Sequence, residues 1–174
     1  MVLIKQELIS SLLNEVRILL HLIGKIDRAK LDYRPTAKQR SFLELIQYMA
    51  IMGPTMVDSI KEGTFTREAM MAIWGPAEAA SKAMDFEQAV AAIEKQSGEY
   101  ARALGEWSDE EFRSVIDMFG NKSTRGMILV NMVLCGHAAY RTQLFCYLKA
   151  TGHEELNTIN LWMGADGSMG ASGG

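Results

Sequence analysis

Four times along this chain, apolar residues recur at the three- and four-residue spacing that lines one face of an α-helix, and only three prolines interrupt the 174 residues. That periodicity constrains the fold more than any other feature. A helical stripe is buried only against another packed element, and no segment shows the alternation of a competing strand. The first stripe is Leu8, Leu12, Val16, Leu19 and Ile23, which predicts an amphipathic helix over residues 2–26 with His21 on its polar, solvated face. The second opens at Ser41, where Glu44 completes a capping box, and runs to Lys61 with Leu45, Tyr48, Met49, Met52 and Met56 along one side. Pro54, beside Gly53, is expected to kink it.

From residue 62 to 84 the pattern weakens and Gly63, Gly75 and Pro76 divide it, so short helical turns in a long crossover are expected. The third stripe, Phe86, Val90, Ile93, Tyr100 and Leu104, predicts a helix to Trp107 with Asp85 as its cap. Ser108 and Glu111 repeat the capping box ahead of a short segment through Ile116, ended by Gly120 and Asn121. Ser123 and Thr124 open a last helix to about Lys149, stopped at Gly152. It is apolar nearly all round between Met127 and Leu148, the mark of a helix buried on more than one side. The expectation is an all-α fold, a four-helix bundle with a long crossover between the second and third helices. Residues 1–160 would form the bundle and residues 161–174 a Gly-rich tail that cannot hold a packed structure by itself.

The charge balance argues against one class of partner. Eighteen basic residues against 21 acidic ones leave a net charge of −3, whereas duplex binding draws its affinity from a basic surplus, so no nucleic-acid partner is expected. The longest stretch without Lys or Arg, residues 41–57, carries Glu44, Gln47 and Pro54 and is too short for a membrane span. Lys5 and Glu7 break the apolar start at once, which is no signal peptide, and the expected location is cytoplasmic. Cys135 and Cys146 lie eleven residues apart on one helix, far beyond disulfide reach, and read as free, buried thiols.

Three short motifs carry a family resemblance: residues 31–35 (Leu-Asp-Tyr-Arg-Pro), residues 41–48 at the start of the second helix, and residues 137–144 running on to Leu148 and Gly152. With them the chain resembles the DinB/YfiT-like superfamily of bacterial four-helix proteins over most of residues 1–152. The resemblance implies the bundle fold and a site on inward helix faces. There, members typically hold zinc or nickel with one histidine from the second helix and two at i and i+4 on the fourth. Laid on this chain, those three positions fall at Tyr48, Gly136 and Tyr140. Phenols are poor ligands for such metals at neutral pH and glycine has no side chain, so the expected cofactor is none, with a divalent metal, zinc or nickel, as the alternative.

His137 is one residue from a matched position, which turns it about 100° around the helix. It falls on the stripe Val130, Val133, His137 and Leu144, as a hydrogen-bonded packing or interface histidine, with a ligand or catalytic base as the alternative, which makes it with Gln143 an additional pocket candidate. Tyr48, Tyr140 and Gln143 form the inward polar set, and a small-molecule pocket walled by Met49, Met52 and Met132 is one reading of it. The functional expectation is a binding or structural module without a complete metal site; the alternative is a metal-dependent hydrolase or thiol transferase of the same superfamily. A homodimer is expected through Val130, Val133, His137, Leu144 and Leu148, taken as a second apolar stripe that one bundle face does not consume.

Overall fold

The computed structural model describes residues 4–167. Four long helical segments form the bundle: α1 (Lys5–Ile23), α2 (Phe42–Glu62), α4 (Phe86–Gly105) and a last one made of α6 (Arg125–Ile128), a π-helical stretch (Leu129–Leu134) and α7 (Cys135–Ala150). Leu12, Val16 and Leu19 of α1, Leu45, Ile46 and Met49 of α2, Ile93 and Leu104 of α4, and Leu129, Val133 and Leu144 of the last helix meet in one core, each almost wholly shielded from solvent. None of the helices is long and apolar enough to cross a membrane among the described residues.

The capping signals act where they were read. Ser41 accepts from the Glu44 amide while Glu44 accepts from the Ser41 amide, and Asp85 with Gln88 and Ser108 with Glu111 do the same. Helix α2 ends at Gly63, whose φ of 75° is the left-handed turn that glycine adopts without strain. The helix continues through Pro54, which removes the N–H that would serve the Ala50 carbonyl. Gln96, fully buried on α4, fills the vacancy: its amide donates to the Met49 carbonyl at 2.8 Å and to the Ala50 carbonyl at 3.0 Å.

Several expectations are corrected. The crossover is not a set of short turns but a 16-residue helix, α3 (Arg67–Lys82), capped by Thr66 and packed chiefly on α2. It survives Gly75 and Pro76 because Ala72, whose carbonyl Pro76 leaves unserved, lies on the exposed side where water can reach it. The short helix α5 (Asp109–Arg113) ends earlier than expected, and an antiparallel hairpin follows, β1 (Val115–Met118) with β2 (Asn121–Thr124). Phe119 and Gly120 turn it with φ of 54° and 88°, the two left-handed residues a two-residue hairpin requires. Cys135 and Cys146 are free but exposed, about two residues off the buried stripe of α7.

The fourth correction concerns the second apolar stripe. Val133, His137, Leu144 and Leu148 are all fully buried inside the bundle, and only Val130 is partly accessible. They are the core face of the last helix, so the stripe leaves no apolar surface for a second copy. The chain also continues in order past residue 160. Helix α8 (Thr158–Met163) spans the boundary expected there and lies against α1. Arg17 donates to the Met163 carbonyl at 2.8 Å, and Lys25 pairs with Asp166 at 2.6 Å. His21, expected in solvent, is covered by this strap and bonded to Asn160 at 3.2 Å. Residues 168–174 of the expected tail lie outside the described residues.

Candidate functional site

Two neighbouring places in the bundle gather chemistry, on either side of α2. On its outer side, Tyr48, Met52 and Met56 form the floor of a cleft of about 380 Å³, closed by Trp74 from α3 and by Met132, Cys135, Gly136 and Tyr140 from the last helix. Tyr48 and Tyr140 meet edge to face with ring centroids 5.0 Å apart. The Tyr48 phenol is pushed well above its ordinary range, chiefly by burial and then by its hydrogen-bonding interaction with Tyr140, so it stays neutral at any physiological pH. A Cβ on Gly136 would lie 3.2 Å from both Sδ and Cε of Met52, so any larger residue there must push the thioether aside. Trp74 is fixed from behind, its indole N–H donating to Ser59 Oγ at 3.2 Å.

On the inner side of α2, His137 is fully buried and its Nε2 lies 2.7 Å from the Tyr100 hydroxyl of α4. Nδ1 finds no partner among the described residues. Burial lowers the imidazole pKa to about 4 and raises that of the Tyr100 phenol, so both groups are neutral. The pair fits under α2 only because residue 53 is glycine: a Cβ there would lie 1.6 Å from the Tyr100 hydroxyl and 2.9 Å from His137 Nε2.

Thus Tyr48, Gly136 and Tyr140 are brought together, whereas the two additional pocket candidates are not with them. His137 points away from the cleft into the core, as its 100° offset requires. Gln143 sits further along α7, donating to the Tyr147 hydroxyl at 2.7 Å, which in turn donates to the Arg40 carbonyl at 3.0 Å. Sequence reasoning also missed Trp74, which belongs to the unexpected α3, and Tyr100 as the partner of His137. The available signal for the latter was Gly53 inside an otherwise bulky helix, a mark of close approach by another chain segment.

The donors in the cleft do not fit the divalent metal that the family resemblance implies. A Tyr48 phenol kept neutral by burial, a second phenol and a glycine supply no ligand set, the Cys135 thiol stands alone, and the nearest imidazole faces the other way, bonded to Tyr100. Among the described residues, no three His, Cys, Asp or Glu side chains gather closely enough to hold a metal ion.

A helical bundle with a cleft beside its second and last helices is the class these features define. The sequence profile of the DinB family matches residues 1–165, and the chain belongs to that family. Among solved structures it resembles a DinB-like protein from Bacillus subtilis, with a TM-score of 0.64 and 21% identity over 87% of this chain and 95% of that one, a likeness of fold. No curated protein matches it significantly in sequence.

Proposed function

We propose that this DinB-family chain is a binding module that takes a small, largely apolar molecule in the cleft between α2, α3 and α7, without a metal. The meeting of Tyr48, Gly136 and Tyr140 in one cleft walled by thioethers and an indole carries this reading. Its volume of about 380 Å³ falls in the range of small-molecule sites, which are mostly apolar with a few polar groups that orient the ligand. Methionine thioethers adapt to irregular apolar shapes, and two phenol hydroxyls can each donate or accept a hydrogen bond. Two free, exposed thiols suit a reducing compartment, which supports a cytoplasmic location.

Decanol is a suitable probe, being an apolar chain with one hydroxyl. In a heteronuclear NMR titration, the Trp74 indole and Gly136 amide signals are expected to shift, and Gly136→Leu, which fills the cleft, is expected to abolish both shifts. No shift, or shifts confined to the separate groove between Phe112 and Met127, would overturn the reading. Elemental analysis of untagged protein supplies an independent check. About one zinc or nickel per chain, released in a Tyr48→Phe/Tyr140→Phe variant, would restore a metal-based function.

A further inference from the structure

Resting on the cleft reading above, we infer that the ligand is an amphipathic monocarboxylate, whose carboxylate is held by Arg40 and whose apolar body lies in the Tyr48–Trp74 cleft. The first support is continuity. A second hollow of about 390 Å³ runs along the same side of α3, between Arg40, Tyr48, Glu78 and Lys82, and Tyr48 lines both hollows. From Trp74 in the one to Lys82 in the other is roughly 12 Å along α3 at the helical rise, the scale of a medium-length chain lying lengthwise.

The second support is the state of Arg40. Its guanidinium lies over the Tyr48 ring, 3.9 Å from the centroid. A contact through the face uses none of the five N–H donors. None of those donors has an acceptor among the described residues, and no carboxylate there is within ion-pair distance of Arg40. The Arg40 backbone is nonetheless held in place, since its carbonyl accepts from the Tyr147 hydroxyl at 3.0 Å and its neighbour Ser41 caps α2. It is therefore an exposed cation with unused directional donors, stacked on Tyr48, the residue the two hollows share.

Charge then selects the head group. Glu44 is committed to Arg34 at 3.1 Å and to the Ser41 amide at 2.8 Å, and Glu78 is 3.9 Å from Lys82. Arg40 and Lys82 line the hollow with Glu44 and Glu78; Arg34, from outside it, pairs with Glu44 and Lys82 pairs with Glu78, so Arg40 is the lining cation without a paired carboxylate. A monoanion balances it, and a planar carboxylate matches the guanidinium fork with two parallel hydrogen bonds. A phosphoryl dianion would bring a second negative charge beside Glu44 and Glu78.

The experiment compares decanoate, decanol and decyl phosphate, each below its micelle-forming concentration, by calorimetry and by the Trp74 indole NMR signal. Decanoate is expected to bind wild type about tenfold more tightly than decanol, and Arg40→Gln to remove that advantage, so that the two ligands bind the variant equally while its folding transition stays cooperative. Equal affinity of decanoate and decanol for wild type, or an advantage that persists in Arg40→Gln, would overturn the carboxylate assignment and leave the cleft reading standing. Tighter binding of decyl phosphate than of decanoate would replace the carboxylate with a phosphoryl head. No binding of any of the three would remove the cleft reading and this inference together.

Discussion

His137 is held in the core as a neutral imidazole, and that has a pH signature. Folding lowers its pKa from 6.5 to about 4. Above pH 6.5 neither state binds the proton, whereas between 6.5 and 4 the unfolded chain takes it up and the folded chain refuses it. Stability therefore falls as pH falls, by about 3 kcal/mol across that window. Denaturant titrations at several pH values are expected to show this loss in wild type and a shallower slope in His137→Leu; equal slopes would mean that the imidazole titrates normally when folded. Gly53→Ala is expected to destabilise by about 1–3 kcal/mol, because its methyl group must displace Tyr100 from His137. In a Tyr100→Phe background the cost is expected to shrink, a non-additivity that a thermal-denaturation cycle measures. At this scale the family pattern made Tyr48, Gly136 and Tyr140 legible, since their spacing on two helices survives the loss of the histidines. Arg40, Trp74 and Tyr100 were not legible, because each acquires its role from a residue on another element, a pairing that periodicity does not encode.

The π-helical stretch Leu129–Leu134 is the least regular part of the bundle, and it lies one turn before Gly136 and His137. A π turn houses an extra residue without disturbing the faces on either side. Deleting the exposed Asn131 is therefore expected to leave a continuous α-helix with His137 still facing Tyr100, and a cooperative melt within about 2 kcal/mol of wild type. Deleting Ala139 instead turns everything after it by about 100°, which takes Arg141, Leu144 and Leu148 off the core face, and is expected to abolish the cooperative transition. Circular dichroism melts of the two deletions distinguish these outcomes. Long helices with caps were legible because stripe, start and stop agreed. Helix α3 was missed because Gly75 and Pro76 read as breaks, and exposure of the Ala72 carbonyl, which makes the proline tolerable, is a tertiary fact. The hairpin was missed because its turn places Phe119, a residue that rarely adopts the left-handed conformation, where Asn or Asp is the usual signal.

At the scale of the molecule, the arrangement of helices followed from the sequence and the assignment of α7's faces did not. Its apolar residues surround the helix, and periodicity alone could not say which stripe the bundle consumes. The structure buries Val133 completely, so Val133→Asp is expected to cost roughly 4 kcal/mol and to unfold the chain, as an unpaired charge in a core does. Sedimentation together with circular dichroism tests this. A folded, dissociated monomer from a wild-type dimer would mean instead that Val133 faces another copy. Helix α8 lies along α1 near Arg17, Ile18 and His21, held by the Arg17 bonds to Met163 and Gly164 and by the Lys25–Asp166 pair. Residue 4 sits at one end of α1, and residues 164–166 are fastened beyond its midpoint. A tension applied between residues 4 and 167 would thus act parallel to α1 and slide the strap along it. The strap's few polar fastenings would give way before the interdigitated core, making α8 a mechanical fuse that yields while the four long helices stay packed.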